Sequence, residues 1–479
     1  MYRLPARAGD KASAFRKHFS FLLAGICFFT GPSLLATSAF AEPVIIDHVT
    51  VIDGKGRPPK SDYAVVIEGE KFKQVGPSVL ARSMTGRRID GRGRYLIPGL
   101  FDIHAHVEGF TRANDGKVAI DRRVGEEALA SYLYSGVTSI LDVGNIPENI
   151  LPLRADERAG KIFSPHIFAT GNAVAAPGGH GASISVAVSS WPAAGSILQA
   201  QFDSQHPDVI KIMYDEEGWG ARPLIPILSP DLLQHIIKFY NERGVRTTLH
   251  ASNESRALEA IYSGVDSLAH TPLQGPVTEG FVKMAAAKQI PLATTVVVGD
   301  NYARLHDNPK YLDEPLYVAT VRAEERTRLK KIIADGRETA LAGSKPLYQK
   351  AWRLWMTTQV PILEDNLRRI VGAGGVIATG TDGCCGAGLQ RELELLVHAG
   401  IQPLQVIKAA TYNGARLIGK QETMGSIEEG KIADAVLLSA DPTQDINNCK
   451  AIVLVVKAGQ MVDESKLSLA GGPQPRRMN

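Results

Sequence analysis

YLIPGLFDIHAHV, residues 95–107, is a Pro-Gly turn followed by an apolar run that carries two histidines two positions apart. Side chains on a strand alternate between faces with period two, so His104 and His106 point to the same side and can grip one ion. Working outward, other apolar runs close on a polar residue in the same way. Lys211 follows Val209-Ile210, His250 follows Thr247-Thr248-Leu249, His270 follows Ser267-Leu268-Ala269, and Asp382 closes the run from Ile377. Enzymes built of alternating strands and helices in a barrel place their sites at the carboxyl ends of several strands. The candidate strands are Ile97–Val107, Gly136–Gly144, Pro165–Gly171, Val209–Asp215, Gly244–Ser252, Asp266–Thr271, Pro291–Val297 and Gly375–Asp382. Helical spacing fills most gaps between them, as in Ser229–Arg243, where Leu232, Leu233, Ile236, Ile237 and Tyr240 form one stripe. The fold class expected is α/β, a (β/α)8 TIM-like barrel.

The chain resembles the amidohydrolase superfamily, and within it the imidazolonepropionase-like and Xaa-Pro dipeptidase-like group. The likeness runs from about Pro43 to Val462. It is carried by IPGLFDIHAHV (97–107), GVTSILDVG (136–144), GGHG (178–181), DVIKI (208–212), the two later histidine strands, TGTDG (379–383), and ATYNGARLIG (410–419) followed by GSIEEGKIADAVLLSADP (425–442). The resemblance implies that both chain ends meet in a small β-sandwich beside the barrel. The strand-like runs of Val44–Gly76 and Gly425–Val462 suit that expectation. Residues 42–96 and 423–466 are therefore assigned to the small domain and 97–422 to the barrel. Residues 298–364 form a charged, helical insertion carrying Trp352 and Trp355, either a lid or substrate wall or a piece that merely packs on the barrel. Residues 467–479 read as a disordered tail.

Composition excludes several classes. With 44% apolar and 22% charged residues the chain is an ordinary globular protein. Arg3, Arg7, Arg16 and Lys17 precede the apolar run Phe19–Phe29, and Ala39-Phe40-Ala41 offers a small-residue cleavage site. Residues 1–41 therefore read as a secretory signal peptide, with a single uncleaved anchor as the alternative, and the expected location is secreted or periplasmic. Their loss removes five basic residues and Asp10, taking the formal charge from +3 to −1. Such a chain gives no electrostatic reason to expect nucleic acid or an anionic membrane as partner. A small-molecule substrate is expected, and a homo-oligomer stays open. The three remaining cysteines, Cys384, Cys385 and Cys449, are too few and odd for a disulfide framework, and the adjacent Cys384-Cys385 read as small buried thiols near the site.

The donor set of histidine nitrogens and a carboxylate suits divalent zinc, which lowers the pKa of bound water toward 7. Lysine cannot ligate as an ammonium. The resemblance implies that Lys211 reacts with carbon dioxide, and that the resulting N6-carboxylated side chain bridges two ions. His104, His106 and Asp382 would then hold one ion, and His250 and His270 the other. The competing reading keeps Lys211 an amine with one metal. Asp382 is assigned as general acid/base. His180 in the Gly-rich loop resembles a substrate-loop motif of the group, against the plain alternative of a surface loop histidine. Tyr214 and Arg222 are candidates for binding a substrate carboxylate, against the alternative that they are packed or solvated. His166, His206, His235, His306 and His398 lack strand-end context and read as structural. The expected reaction is hydrolysis of a C–N bond in a dipeptide, Xaa-Pro included, or an N-acyl amino acid. Cyclic amide hydrolysis and lactone or phosphotriester hydrolysis are the runners-up, and a non-catalytic scaffold of the same fold is remote.

Overall fold

Eight short apolar segments become parallel strands in the computed structural model, which describes residues 42–112, 117–216, 224–334 and 346–472. They are β1 (Leu100–Ala105), β2 (Val137–Asp142), β3 (His166–Ala169), β4 (Val209–Met213), β5 (Arg246–His250), β6 (Ser267–Leu268), β7 (Pro291–Ala293) and β8 (Val376–Ala378). All eight fall within the segments expected from the sequence. β1, β2 and β3 pair in parallel, and so do β4 through β8. The Asp208 amide donates to the Ala169 carbonyl at 3.0 Å, linking the end of β3 to the start of β4. Past β8 the backbone returns to β1. Ile103 donates to Thr379 at 3.0 Å, Asp382 to His104 at 2.7 Å, and His106 to Gly383 at 2.8 Å. The result is a parallel sheet with alternating helices, the arrangement of an amidohydrolase barrel.

The intervening helices form where the stripe and the cap coincide. In Pro230–Asn241 the Ser229 side chain accepts from the Leu232 amide at 3.2 Å and Pro230 takes the first turn. Its stripe of Leu232, Leu233, Ile236, Ile237 and Tyr240 is buried against the sheet. Among the described residues no helix is long and apolar enough to cross a membrane. The segment read as a signal peptide lies outside the described residues.

Both chain ends enter one mixed eight-stranded sheet, built from five strands between Val44 and Pro98 and three between Ala435 and Met461. The expected single strand Ile97–Val107 is in fact two. Tyr95–Pro98 pairs antiparallel with Ala435–Leu438 in the end sheet, and β1 begins at Leu100. Pro98 has no amide to continue a ladder. Gly99 is where the chain passes between layers, because a Cβ there would lie 2.0 Å from the Thr138 hydroxyl. The barrel therefore starts past Gly99 rather than at residue 97.

The tail also departs from expectation over its described part. Leu467 and Leu469 are buried, and the Gly471 amide donates to Ala319 in the insertion at 3.1 Å. Two leucines with a partner surface are enough to order residues 467–472 despite Gly471 and Gly472 among them. The insertion itself is helical, with Val296–Asp307, Pro315–Thr320, Ala323–Ala334 and Pro346–Gly372. Its first helix starts directly after β7. There the buried Glu392 carboxylate accepts the amides of Val296 at 3.0 Å and Val297 at 2.7 Å, two donors a helix start leaves open.

Candidate metal centre

β1 carries Asp102 and His104 on one face, and His106, just past its end, continues the period of two. His104 Nδ1 shares a hydrogen with the Ala269 carbonyl at 2.6 Å, and His106 Nδ1 with the Gly144 carbonyl at 2.8 Å. Both rings are thereby turned so that Nε2 faces the same atom, Asp382 Oδ1, at 3.4 Å and 3.1 Å. Fixing one imidazole nitrogen on a carbonyl and presenting the other is how proteins orient metal-ligating histidines. Asp382 comes within reach because residues 379–383 run against β1. Gly380 must be glycine there, since a Cβ would lie 2.6 Å from the His104 Cβ. Asp382 itself sits at φ +50°, a left-handed conformation uncommon for an aspartate.

Lys211 points inward from β4, and its Nζ lies 3.1 Å from His104 Nε2. Burial pushes the ammonium down to about 7. Burial, with Lys211 nearby, likewise pushes His104 down to about 3. Burial lowers His250, and it lowers His270 well below its ordinary range. For His106 burial is outweighed by the Asp382 carboxylate, which raises it. Asp382 is held well below the carboxylate range: burial opposes ionisation, but the two histidines outweigh it. The lining thus offers uncharged imidazoles at His104, His250 and His270 and an ionised carboxylate at Asp382, the protonation states in which these groups ligate a cation.

His250 and His270 complete the ring of candidates. The His104 and His270 rings are 4.4 Å apart between centroids, and those of His250 and His270 are 4.5 Å apart. His270 Nδ1 meets the Thr295 hydroxyl at 2.9 Å. All six residues expected as ligands are therefore gathered at the strand ends. His180 joins them, stacked on His250 at 4.2 Å. Among the described residues two groups of side chains have ligand atoms close enough together to hold a metal: His104, His106 and Asp382, and His180, Asp215 and His250.

One expected substrate residue is not brought in. Tyr214 is buried with its hydroxyl donating to Glu259 at 2.6 Å, on the helix Glu254–Tyr262. Alternation explains the correction, because Lys211, Met213 and Asp215 share one face and Tyr214 takes the other. Arg222 lies outside the described residues.

Three buried carboxylates escaped the sequence reading. Asp215 Oδ2 lies 3.2 Å from His250 Nε2. Asp102 accepts from the Thr381 hydroxyl at 2.6 Å and from the amides of Thr381 and His104 at 3.1 Å and 3.2 Å, and burial nevertheless pushes it up to about 7. Asp142 accepts the amides of Val107 at 2.8 Å and Gly144 at 3.2 Å, so it holds the loop whose carbonyl orients His106. The signal was the same alternation: Asp102 is two before His104, Asp215 is four after Lys211, and Asp142 ends its strand.

A family model of amidohydrolases matches residues 95–462, from the strand before β1 to the last strands of the end sheet. The chain belongs to the amidohydrolase family. Sequence likeness to individual members of that family is local. Imidazolonepropionase of Symbiobacterium thermophilum is 36% identical over 109 residues, 21% of this chain and 26% of that protein, so the match spans about a quarter of the relative's length. Structural likeness is extensive. A Xaa-Pro dipeptidase crystallised with methionine in its active site superposes with TM-score 0.68 at 21% identity, covering 88% of this amidohydrolase and 100% of that chain. The ochratoxinase of A. niger gives TM-score 0.69 at 20% identity, over 88% and 96% of the two chains. At such identities the superpositions establish the fold.

Cys384 and Cys385 follow Asp382 as free thiols, half-buried where the sequence reading had them buried, and Cys449 is buried. Beside them a cavity of about 560 Å³ opens from Asp382 toward the insertion. The insertion is thus a wall of the cavity next to the candidate metal centre.

Proposed function

We propose that this chain is a secreted or periplasmic metallo-hydrolase that cleaves the amide C–N bond of a dipeptide, Xaa-Pro included, or of an N-acyl amino acid. The observation that carries the reading is the convergence of His104 and His106 Nε2 on one Asp382 oxygen, with Lys211 at 3.1 Å from the first histidine. The finer fold reading is a (β/α)8 barrel closed between β8 and β1, beside a β-sandwich made by the chain ends.

Two zinc-type ions would be held by His104, His106 and Asp382 on one side and His250 and His270 on the other. Lys211 would join them as a carbamate, its amine nitrogen adding to carbon dioxide with release of one proton. A buried lysine whose ammonium is pushed down to about 7 has the neutral amine this addition needs. Bound there, such ions supply an acidified water and polarise the scissile carbonyl. Asp382, ionised and at the strand end, takes the proton of the attacking water and hands it to the leaving nitrogen. His180, on its Gly-rich loop against His250, donates to the substrate carbonyl or carboxylate. The local likeness to imidazolonepropionase favours a cyclic amide as the second reading.

The test is a hydrolysis screen of the zinc-supplemented mature protein with dipeptides, N-acyl amino acids, cyclic amides, lactones and phosphotriesters. Amino acid release that falls by about 10²–10⁴-fold in Asp382→Asn, with metal retained, is the expected outcome. Turnover confined to cyclic amides, lactones or phosphotriesters would reject the substrate class, and full activity in the variant would reject the role of Asp382.

A further inference from the structure

We propose that the cavity between the insertion and the strand ends is a specificity pocket for a bulky, uncharged apolar group of the substrate. This deepens the hydrolase reading and rests on it. The cavity reaches from Thr381, Asp382 and Gly383 to the insertion helices, so a group lying in it is attached to whatever sits at Asp382. Its volume of about 560 Å³ is within the roughly 300–1,000 Å³ that encloses a drug-sized ligand, far more than two small amino acids need.

One part of the wall is apolar and packed in place. Val298, Leu305, Tyr311, Leu312, Tyr317 and Leu329 line it. Tyr311 and Tyr317 meet edge to face with centroids 4.8 Å apart, the arrangement aromatic pairs prefer. The Arg304 guanidinium lies 4.2 Å from the first ring centroid and 5.5 Å from the second, and donates to the Tyr317 hydroxyl at 3.3 Å. Leu305, Leu312 and both tyrosines are buried in one cluster with Ala387, so the wall is formed without a ligand.

Charge decides what does not enter. Two guanidiniums line the cavity, and each is engaged: Arg322 with Glu127 at 2.9 Å, and Arg328 with Glu325 at 2.6 Å. Against these two stand four carboxylates, Glu108, Glu127, Glu325 and Asp382. Among the described lining residues both guanidiniums are already paired, and Glu108 repels a carboxylate of the substrate. A charged side chain of either sign would also lose hydration against the six apolar residues. An aryl or branched alkyl group gains by leaving water.

The experiment uses the metal-loaded mature chain and two dipeptide series that place Ala, Leu, Phe, Glu or Lys on either side of the scissile bond. At one of the two positions Leu and Phe should exceed Ala in kcat/KM by about 10- to 100-fold, with Glu and Lys at or below Ala. Preference for Ala, Glu or Lys at both positions overturns the pocket while leaving the hydrolase reading intact. A binding arm separates the two ideas further. 3-Phenylpropionamide should raise Tm at concentrations where propionamide does not, and Val298→Trp, which fills the cavity, should erase the difference. The wild-type comparison stands alone if that variant does not fold. A phenyl-dependent shift without turnover of any dipeptide rejects the hydrolase reading and keeps the pocket. Absence of the shift together with absence of turnover rejects the pocket as well.

Discussion

Asp215 illustrates what a single buried carboxylate contributes to a metal centre. Although His180, Asp215 and His250 lie close together, the two imidazoles are stacked at 4.2 Å with 20° between their planes. An ion binds in the plane of an imidazole, about 2.0–2.1 Å from its nitrogen. Nearly parallel rings that far apart direct their lone pairs alongside each other, so one ion cannot serve both. The grouping therefore works as an orienting unit. Asp215 Oδ2 lies 3.2 Å from His250 Nε2 and so fixes the orientation of that ring. Asp215→Asn keeps the shape and removes the charge. Such outer partners are worth about 10–100-fold in metal affinity, and the loss should appear in a chelator-competition titration as weaker binding of one of two ions. An unchanged titration would mean that Asp215 only fills space. The six ligand positions were legible because each ends an apolar run. Asp215 was not, because alternation places it on the Lys211 face only once the strand's extent is known, and Tyr214 was misplaced for the same reason.

Between elements, His166 on β3 ties the barrel to the end sheet. Its Nδ1 lies 3.4 Å from Glu157, and its Nε2 lies 3.2 Å from Asp434, beside the strand Ala435–Leu438. Burial works against the imidazolium, but the two carboxylates outweigh it and push the pKa up to about 9. The folded value lies above the unfolded one, so the stabilisation is fully present below about pH 6.5 and is lost as pH rises through about 9. At about 1.36 kcal/mol per unit the whole effect is on the order of 3 kcal/mol. Urea unfolding of wild type and His166→Gln at pH 6 and pH 9.5 should show a stability gap at the lower pH that closes at the higher. A gap of equal size at both would assign the effect to packing instead. From its sequence context this residue reads as structural, which the geometry supports. Its partners could not be foreseen, because Glu157 and Asp434 are brought to it by tertiary packing and by no local pattern.

Across the whole molecule, the candidate ligands come from β1, β4 and β5 and from the residues just after β1, β6 and β8. They also straddle the place where β8 meets β1, held by backbone bonds such as Asp382 to His104 at 2.7 Å. The periodicity of the sequence made the eight strands and their order readable over the full chain. It could not reveal that Ile97 serves the end sheet, or that Leu467 and Leu469 pack down, because those outcomes depend on surfaces distant in sequence. Ions bound by so many elements stabilise the folded state alone, since the unfolded chain scatters the ligands. The linkage amounts to about 2.7 kcal/mol when free metal is a hundredfold above Kd. Stripping metal with a chelator should therefore lower Tm by several degrees, and adding zinc back should restore it. The backbone bonds between strands do not involve the ions, so the far-ultraviolet circular dichroism at 25 °C should stay unchanged. Two ions per chain should be recovered on reloading, and one per chain would leave Lys211 as an ordinary amine. A Tm indifferent to chelation, in protein verified to be metal-free, would show that the buried imidazoles around His104 are held by packing and by their carbonyl partners without help from a cation.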